Sequence, residues 1–417
     1  MDLFRRLNKR REDGDMPGVS GVSPGSVGVE MILSDTPQVE MLEVPPLPPP
    51  REAHIHLAPS STLEELLARL VAENGSDLLL SVGSRPAFRV HGTLHFAISD
   101  ALTQEAAGEI LLGLLSEDDR YEFHRRGSRD LVVEVNGLGR FRCNMFRQHH
   151  GLAAAFHVIP SQLPDIDTLE LPAILKKIAA AQSGLIIVTG PYGSGRTTTL
   201  AAMIAFINQH RQTHIVTVED PVEYVHFCHQ SLIDHREVGS HASSFADALT
   251  ASMREDPDIV VISEMRDEET IYAALRAAES GILVFTTFHA ASTTKTIERL
   301  VDVFPNAQQP QIRALLGEQL RAVIAQNLLP RLDGEGQVAV HEILISDAGL
   351  TNLIRDGKVS QIPNFITMGS QPGMQTLDRG LLDLLDRKLI HPLTASRYCQ
   401  DATSFKAHGY DLEALRV

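Results

Sequence analysis

The sequence predicts an α/β protein with two folded domains, which lie between a long N-terminal extension and a helical C-terminal region. The first observation is the length of 417 residues, which exceeds the usual size of a single domain. The second is a series of short, wholly apolar runs that alternate with amphipathic helices, as expected for parallel strands covered on both faces. The third is a glycine-rich turn between one such run and a helix.

Composition and charge narrow the functional class. The chain carries 37 Lys and Arg against 53 Asp and Glu, a formal net charge of −16, which argues against a nucleic-acid partner because phosphate attraction requires a basic surface. Its three cysteines, Cys143, Cys228 and Cys399, have neither metal-ligand nor redox spacing, so we expect reduced thiols. No apolar run has the length of a membrane span and no signal-peptide core follows the start, so we expect a cytoplasmic protein.

Residues 1–60 are predicted to be a disordered extension. The first thirteen residues, MDLFRRLNKRRED, mix apolar and basic side chains. They fit either a frayed terminus or a short helix that contacts anionic lipid or a partner groove. Residues 12–59 are rich in Gly, Ser and Pro and cannot bury enough apolar surface to offset their ordering entropy. The run VPPLPPP at 44–50 favours polyproline II conformation.

Residues 61–160 read as a small α+β domain. STLEELLARLVAENG at 61–75 predicts a helix with Ser61 as its cap, Glu64 in the capping box and Gly75 as its stop. A second helix is predicted in LTQEAAGEILLGLL. Strand-like segments make up most of the remainder: DLLLSVG, PAFRVHGTLHF, DLVVEVNGLGRFRCNMF and LAAAFHVIP. Residues 161–172, which follow Pro160 and contain Pro164 and Pro172, are the predicted linker.

Residues 173–345 are predicted to form a doubly wound α/β domain. Four apolar runs are its expected strands: LIIVTG, HIVTVED, DIVVIS and ILVFTTF. Residues 346–417 are predicted to be mainly helical.

The run GPYGSGRTTTL at 190–200 matches the spacing of a P-loop, a turn whose backbone N–H groups surround phosphates at a helix N-terminus. A chance glycine-rich turn is the alternative, but a strand before it and a helix after it favour phosphate binding. The chemistry implies ATP, with Mg²⁺ held by the hydroxyl of Thr197. The predicted nucleotide-binding residues are Gly190, Pro191, Gly193, Ser194, Gly195, Arg196, Thr197 and Thr198.

DPDIVVISE at 256–264 predicts a buried strand that ends in an acidic residue, Glu264. Open α/β sheets bind ligands at this end of their strands, where Glu264 could activate the attacking water or assist Mg²⁺. A surface acid is the alternative, and the neighbouring P-loop favours the functional interpretation.

Two further segments complete a motif series. TVEDPVEY carries Glu219 and Asp220, and TTFHAAST carries His289 after an apolar strand. In this order the motifs resemble the acidic and histidine boxes of the type II/type IV secretion ATPase superfamily, and within it the pilus retraction ATPases. The resemblance covers nearly all of residues 61–390 and includes these blocks: SDLLLSVGSRPAFRVHG, RFRCNMF, REVGS, AAESGILVFTTFHA, VDVFPNAQQ, TNLIRDGK and GMQTLD.

The resemblance implies a hexameric ring in which a PAS-like N-terminal domain precedes a RecA-like motor domain. ATP hydrolysis would drive pilus retraction against an inner-membrane platform protein, with the motor at the cytoplasmic side of that membrane. Thr197 and Asp220 are the implied metal ligands, and NLIR at 352–355 resembles a segment needed for retraction, although its apolar residues also suit a core. The implied catalytic residues are Glu264, Glu219, His289, Arg142 and Arg254.

Several positions depart from the family pattern. Arg196 replaces the P-loop lysine, Ser263 replaces a glycine, and His157 and Thr250 replace two of four cleft arginines. Arginine is a larger planar donor than lysine, and loss of cationic donors slows phosphoryl transfer, so the rate of hydrolysis is in question. The alternative function is therefore a weakly catalytic or non-catalytic paralogue that binds ATP and acts as a ring subunit or regulator. A P-loop kinase fits poorly, since no acceptor-binding lid is recognised.

Overall fold

A computed structural model describes residues 62–90, 92–159, 163, 165–334, 336–369 and 372–415. The predicted extension over 1–60, including its basic start and its proline run, lies outside the described residues. None of the helices within these ranges is long and apolar enough to cross a membrane.

The first part of the chain forms an antiparallel six-stranded sheet in the order β3-β2-β1-β6-β5-β4, with three helices. Leucines of α1 and α2 pack with Phe88, Phe141 and Phe156 of the sheet in one apolar cluster. This arrangement confirms the α+β composition predicted for residues 61–160, and α3 is an addition. The elements are α1 (Leu63–Ala72), β1 (Gly75–Ser81), β2 (Ala87–Val90), β3 (Thr93–Phe96), α2 (Gln104–Leu112), α3 (Glu117–Arg126), β4 (Ser128–Val135), β5 (Gly139–Gln148) and β6 (Gly151–Ile159).

The ends of α1 differ from the prediction by one residue or two. Thr62, not Ser61, caps the helix, and its capping box is completed by Glu65 rather than Glu64. The helix ends before Asn74, which adopts a positive φ of 51°, and Gly75 already opens β1. Both Ser61–Glu64 and Thr62–Glu65 have capping-box spacing, so sequence alone does not distinguish the two registers.

The second part forms a seven-stranded sheet in the order β13-β12-β7-β11-β10-β8-β9, in which only the pair β12–β13 is antiparallel. The four strands predicted from apolar runs are confirmed as β7, β8, β10 and β11; β9, β12 and β13 were not predicted. The elements are α4 (Ile174–Ala179), β7 (Gly184–Thr189), α5 (Arg196–His210), β8 (His214–Glu219), β9 (Leu232–Glu237), α6 (Phe245–Ser252), β10 (Ile259–Ile262), α7 (Glu268–Glu279), β11 (Leu283–Phe288), α8 (Thr293–Asp302), α9 (Gln309–Gln319), β12 (Leu320–Pro330) and β13 (Gln337–Ile345).

Apolar clusters cover both faces of this sheet, which explains the apolar runs. One cluster joins alternate strand residues to α4 and α5, and the other joins the intervening residues to α7, α8 and α9. Every residue of β7, β10 and β11 is buried as a result. Ile166 and Leu171, from the predicted linker, are buried in the α4–α5 cluster, so this segment packs on the second sheet.

The C-terminal region is helical, as predicted. Leu381, Leu384 and Phe405 pack with Val340 of β13 in a separate apolar cluster. The helices are α10 (Ala348–Arg355), a 3₁₀ turn (Val359–Gln361), α11 (Ile362–Met368), α12 (Leu377–Asp386), α13 (Pro392–Tyr398) and α14 (Thr403–Lys406). Within α10, Leu350 and Ile354 are buried in the core beside α9, so the apolar residues of the NLIR segment have a packing role.

Candidate nucleotide site

Four predicted motifs lie at one edge of the seven-stranded sheet. Strands β7, β11, β10 and β8 are consecutive neighbours and run parallel. Their carboxyl ends therefore place Gly190, His289, Glu264 and Glu219 along the same edge, where open α/β sheets bind ligands. The structure thus brings together motifs that are up to a hundred residues apart in sequence.

The glycine-rich loop is closely packed against β12. Gly190 has a positive φ of 156°, and a Cβ there would lie 2.3 Å from the backbone oxygen of Gln326. Only glycine fits such a gap without a backbone shift. Gly195, with a φ of 81°, precedes the first residue of α5, Arg196. The loop thus leads into a helix N-terminus whose free N–H groups can bind an anion.

A buried polar network fixes this loop to the sheet. Gln326 Nε2 donates to the backbone oxygen of Ser194 (2.6 Å), and Gln326 Oε1 accepts from Thr199 Oγ1 (2.7 Å). His341 Nε2 lies 3.0 Å from the same Oε1, so this nitrogen carries the proton. Both Gln326 and His341 are 2% exposed. The loop conformation therefore depends on two side chains of β12 and β13.

His341 makes the stability of the fold pH-dependent. Burial lowers the pKa of His341 to about 4, whereas a histidine in an unfolded chain titrates near about 6.5. Between these two pKa values the unfolded chain binds a proton at this histidine, whereas the folded chain does not. The contribution of His341 to the free energy of unfolding is therefore fully present above the unfolded pKa, and it is lost as the pH falls toward the folded pKa. The total loss is about 3 kcal/mol.

We therefore expect the free energy of unfolding to fall more steeply between about pH 7 and about pH 4 in the wild type than in His341→Gln. Urea denaturation of nucleotide-free protein across this range measures the two slopes. His408→Gln, which removes an exposed histidine, is the matched control. Equal slopes for wild type and His341→Gln would contradict the assignment of a buried neutral imidazole.

Arg196, which replaces the P-loop lysine, is directed toward β11. Its Nη1 donates to the backbone oxygen of Phe288 (2.7 Å), and its guanidinium lies 5.8 Å from the centre of the Tyr192 ring. Burial lowers the pKa of Arg196, and the charge of Glu264 opposes that effect. The guanidinium is therefore held beside the loop by a carbonyl and an aromatic ring.

Glu264 forms an ion pair with Arg266, a residue that the sequence analysis did not single out. Arg266 donates to Glu264 Oε2 from both Nε (2.9 Å) and Nη2 (2.7 Å). The Glu264 side chain is 17% exposed, whereas that of Arg266 is 61% exposed. The hydrogen bonds to Glu264 raise the pKa of Arg266. The negative charge of the candidate catalytic carboxylate, Glu264, is thus balanced by Arg266 of the same chain.

A cavity of about 690 Å³ opens beside these residues. Its lining includes Tyr192 from the P-loop, Glu264 and Arg266 after β10, and His289 after β11. The rings of Tyr192 and His289 lie 4.5 Å apart, which ties the histidine box to the P-loop. Three of the predicted motifs therefore share one cavity.

The acidic box lies beyond β10 and is joined to the P-loop helix by Tyr224. The hydroxyl groups of Tyr224 and Thr198 are 3.1 Å apart. Glu219 is buried, with its Oε1 accepting from Thr217 Oγ1 (2.7 Å) and its Oε2 from the backbone N–H of Glu223 (3.4 Å). These bonds fix the Glu219 carboxylate at the end of β8.

His235 of β9 extends this acidic network. Its Nε2 accepts from the backbone N–H of His226 (3.1 Å), so Nδ1 carries the proton of the neutral ring. That Nδ1 lies 2.9 Å from Thr217 Oγ1, which in turn donates to Glu219. His235 thereby orients the acidic box through the hydroxyl of Thr217 and through its own contact with Glu219 (Nδ1–Oε1 3.4 Å).

The two predicted metal ligands differ in their surroundings. Thr197 is half-buried at the start of α5, whereas Asp220 is exposed after β8. Partial desolvation, followed by the negative charge of Asp130, raises the pKa of Asp220, while Arg266 and Arg142 oppose this shift. No group of three or more His, Cys, Asp or Glu side chains within the described ranges could by itself hold a metal.

Arginines of the six-stranded sheet contact the acidic box. Arg142 Nη1 donates to Glu223 Oε1 (2.9 Å), and Arg140 donates to the backbone oxygens of Val222 (2.7 Å) and Glu223 (2.9 Å). Both arginines come from β5. Arg142, which the family resemblance implies as a catalytic residue, therefore lies beside the second sheet, together with Arg140.

The other predicted cleft positions do not contact the acidic box as Arg140 and Arg142 do. His157 is opposite Arg142 in the sheet but bonds to Asp77 (Nδ1–Oδ1 3.0 Å), a contact that raises the pKa of His157. Thr250 donates to the backbone oxygen of Ala246 within α6. Arg254 is exposed, and its side chain makes no hydrogen bond or ion pair with any part of the chain that the structure describes.

Comparison with known proteins places this arrangement in a family. Residues 146–367 match the model of the family described as "Type II/IV secretion system protein". A twitching motility protein of Neisseria gonorrhoeae is 44% identical over 319 residues, which are 76% of this chain and 85% of that protein. The type IV pilus retraction ATPase PilT of Pseudomonas aeruginosa is 42% identical over 328 residues, covering 79% and 95%.

A solved structure agrees with these relatives. The crystal structure of a pilus retraction motor PilT with bound ADP is similar with a TM-score of 0.72 and 39% identity, covering 83% of this chain and 99% of that one. The two proteins therefore share their fold over almost the whole of the solved chain.

Proposed function

This chain belongs to the type II/IV secretion system protein family, and we propose that it is a PilT-like motor ATPase of a type IV pilus or a related secretion machine. The observation that carries the proposal is the convergence of the P-loop, Glu264 and His289 on one cavity. The family match over residues 146–367 includes the residues that build it. No comparison specifically favours the weakly catalytic alternative.

The phosphate loop is proposed to bind ATP through its backbone N–H groups at the start of α5. Mg²⁺ prefers oxygen ligands and retains waters, so it needs only one or two protein groups beside the phosphates. The hydroxyl of Thr197 and the carboxylate of Asp220 are of the required chemical type. When bound, Mg²⁺ would neutralise charge on the terminal phosphates.

Glu264 is proposed to act as the general base. Water attacks the terminal phosphorus of ATP, its proton passes to the Glu264 carboxylate, and the bond to the ADP oxygen breaks. Glu219 and His289 border the same edge of the sheet, and we assign them to positioning the water and the terminal phosphate. Arg142, Arg196 and Arg254 are the cations assigned to charge on the phosphates.

We further propose that residues 61–160 form a PAS-like domain and residues 173–345 a RecA-like motor domain, and that six chains form a ring. Exposed Arg254 then faces a neighbouring subunit, while Arg142 stays with its own chain through Glu223. The ring would act in the cytoplasm on an inner-membrane platform protein, either alone or mixed with a paralogous ATPase. No nucleic-acid partner is proposed, in keeping with the net charge of −16.

The test is ATP hydrolysis by the purified chain, combined with light scattering in the presence of a non-hydrolysable ATP analogue. We expect hydrolysis that depends on Mg²⁺ and a mass close to six subunits when the analogue is bound. A strict monomer at about tens of micromolar with nucleotide bound would contradict the ring, because even weakly associating subunits assemble at such concentrations. Failure to bind any nucleotide would overturn the motor itself.

A further inference from the structure

Arg266 combines two properties: it is firmly hydrogen-bonded to Glu264, and its side chain is largely exposed. It gives two N–H groups to a single carboxylate oxygen of Glu264, at 2.9 Å and 2.7 Å, which is a strong charge-assisted contact. Its side chain nevertheless remains 61% exposed and borders the cavity of about 690 Å³. The guanidinium can therefore move without breaking any packing in the core.

The positive charge of Arg266 also acts on the rest of the site. Burial raises the pKa of Asp220, and the charge of Arg266 opposes that rise; burial lowers the pKa of Arg196, and the charge of Arg266 adds to that fall. Arg266 thus lies within electrostatic reach of the acidic box, the P-loop and the general base. His157 and Thr250, where the family resemblance expects cleft arginines, are instead bound to Asp77 and Ala246.

We propose that Arg266 is a mobile cation of the nucleotide site, bound to Glu264 in the absence of a triphosphate and transferred to the terminal phosphate of ATP when one binds. This inference rests on the proposed function. The transfer frees Glu264 Oε2, so the carboxylate can accept the proton of the attacking water only when substrate is present. Hydrolysis chemistry and substrate recognition are thereby coupled through one side chain.

Charge balance favours the transfer. A terminal phosphate carries more negative charge than a carboxylate and offers the planar fork of arginine two acceptor oxygens. ADP lacks that phosphate, so Arg266 should stay on Glu264 in the ADP complex. The proposal therefore predicts discrimination between triphosphate and diphosphate, which a purely structural ion pair would not give.

The experiment compares the affinity for ADP with that for a non-hydrolysable ATP analogue, both with Mg²⁺, by calorimetry. In Arg266→Gln we expect analogue affinity to fall about tenfold or more and ADP affinity to change less than about threefold, as suits the loss of one charge-assisted contact to the terminal phosphate. Arg266→Lys should recover part of the analogue affinity. Arg276→Gln is the matched control, since Arg276 also pairs with a glutamate, Glu279, on the exposed face of α7.

A second variant separates the two roles of Arg266. Glu264→Gln releases Arg266 from its carboxylate partner, so we expect this change to tighten analogue binding severalfold. In the double variant with Arg266→Gln, that gain should vanish, because both changes act on one shared contact.

Several results would overturn the inference. Equal losses for ADP and the analogue in Arg266→Gln, unchanged affinity for both, or a gain from Glu264→Gln that persists without Arg266 would each reject the transfer. Wild-type protein that binds neither nucleotide would reject the proposed function itself, an outcome that is distinct from these three.

Discussion

Glu264→Gln is expected to lower the turnover of ATP by about 10²- to 10⁴-fold, the usual contribution of a general base. Glu264 follows β10 at the carboxyl edge of the sheet and borders the cavity shared with the P-loop and the histidine box. A glutamine has nearly the same shape but cannot accept the proton of the attacking water. Nucleotide binding should survive, because the P-loop is built from other residues.

Steady-state turnover at saturating ATP, measured together with nucleotide affinity, separates chemistry from binding. Glu269→Gln is the matched control: it removes an exposed acid from the first turn of α7, five residues along the chain. Turnover that survives Glu264→Gln would show that another group takes the proton. Buried Glu219, at the end of β8, would then be the next candidate.

The parallel strands of the second sheet could be predicted because burial on both faces leaves a clear signal. The strands β7, β8, β10 and β11 are almost wholly buried, and their sequences are mainly apolar. The edge strand β9 contains Asp234, His235 and Arg236, so it lacks that signal. The run LRAVIAQNLLP of β12 follows helix α9 directly, and a mainly apolar run does not by itself distinguish a strand from a buried helix.

The site could be predicted as a set of motifs but not as a set of contacts. Each motif is local, and the parallel order of strands brings all four to one edge. Gln326, in contrast, supports Ser194 from 132 residues away, and only a polar residue within an apolar run hints at its role. Arg266 is close to Glu264 in sequence, but no spacing rule predicts that it would hold the carboxylate.

Each of three positions that depart from the family pattern has a hydrogen-bond partner within the chain. His157 is turned toward Asp77, which holds it with one hydrogen bond, and Thr250 satisfies its hydroxyl within its own helix. Arg196 is bound to the backbone oxygen of Phe288. The sequence predicts lost or displaced cations at these three positions, and their effect on the rate stays a prediction.

The second large effect is expected from restoring these three positions together. Arg196→Lys alone should change turnover less than about tenfold, because a compact ammonium cannot replace the missing donors at 157 and 250. The triple variant with His157→Arg and Thr250→Arg should raise turnover about 10²-fold or more, since cationic donors that act on one transition state are strongly non-additive. An arginine at 157 would keep Asp77 as its partner and remain charged at every working pH.

Steady-state turnover of the wild type, the single variant, the His157→Arg/Thr250→Arg double variant and the triple variant measures this coupling. Arg276→Lys, on the exposed face of α7, controls for an arginine-to-lysine exchange outside the site. Adding Glu264→Gln to the triple variant should remove the gain, which ties it to the same chemistry. A fast wild type that the triple variant does not improve would show that Arg140, Arg266 and the remaining cations already supply the charge, and that the arginine of the phosphate loop is no impediment.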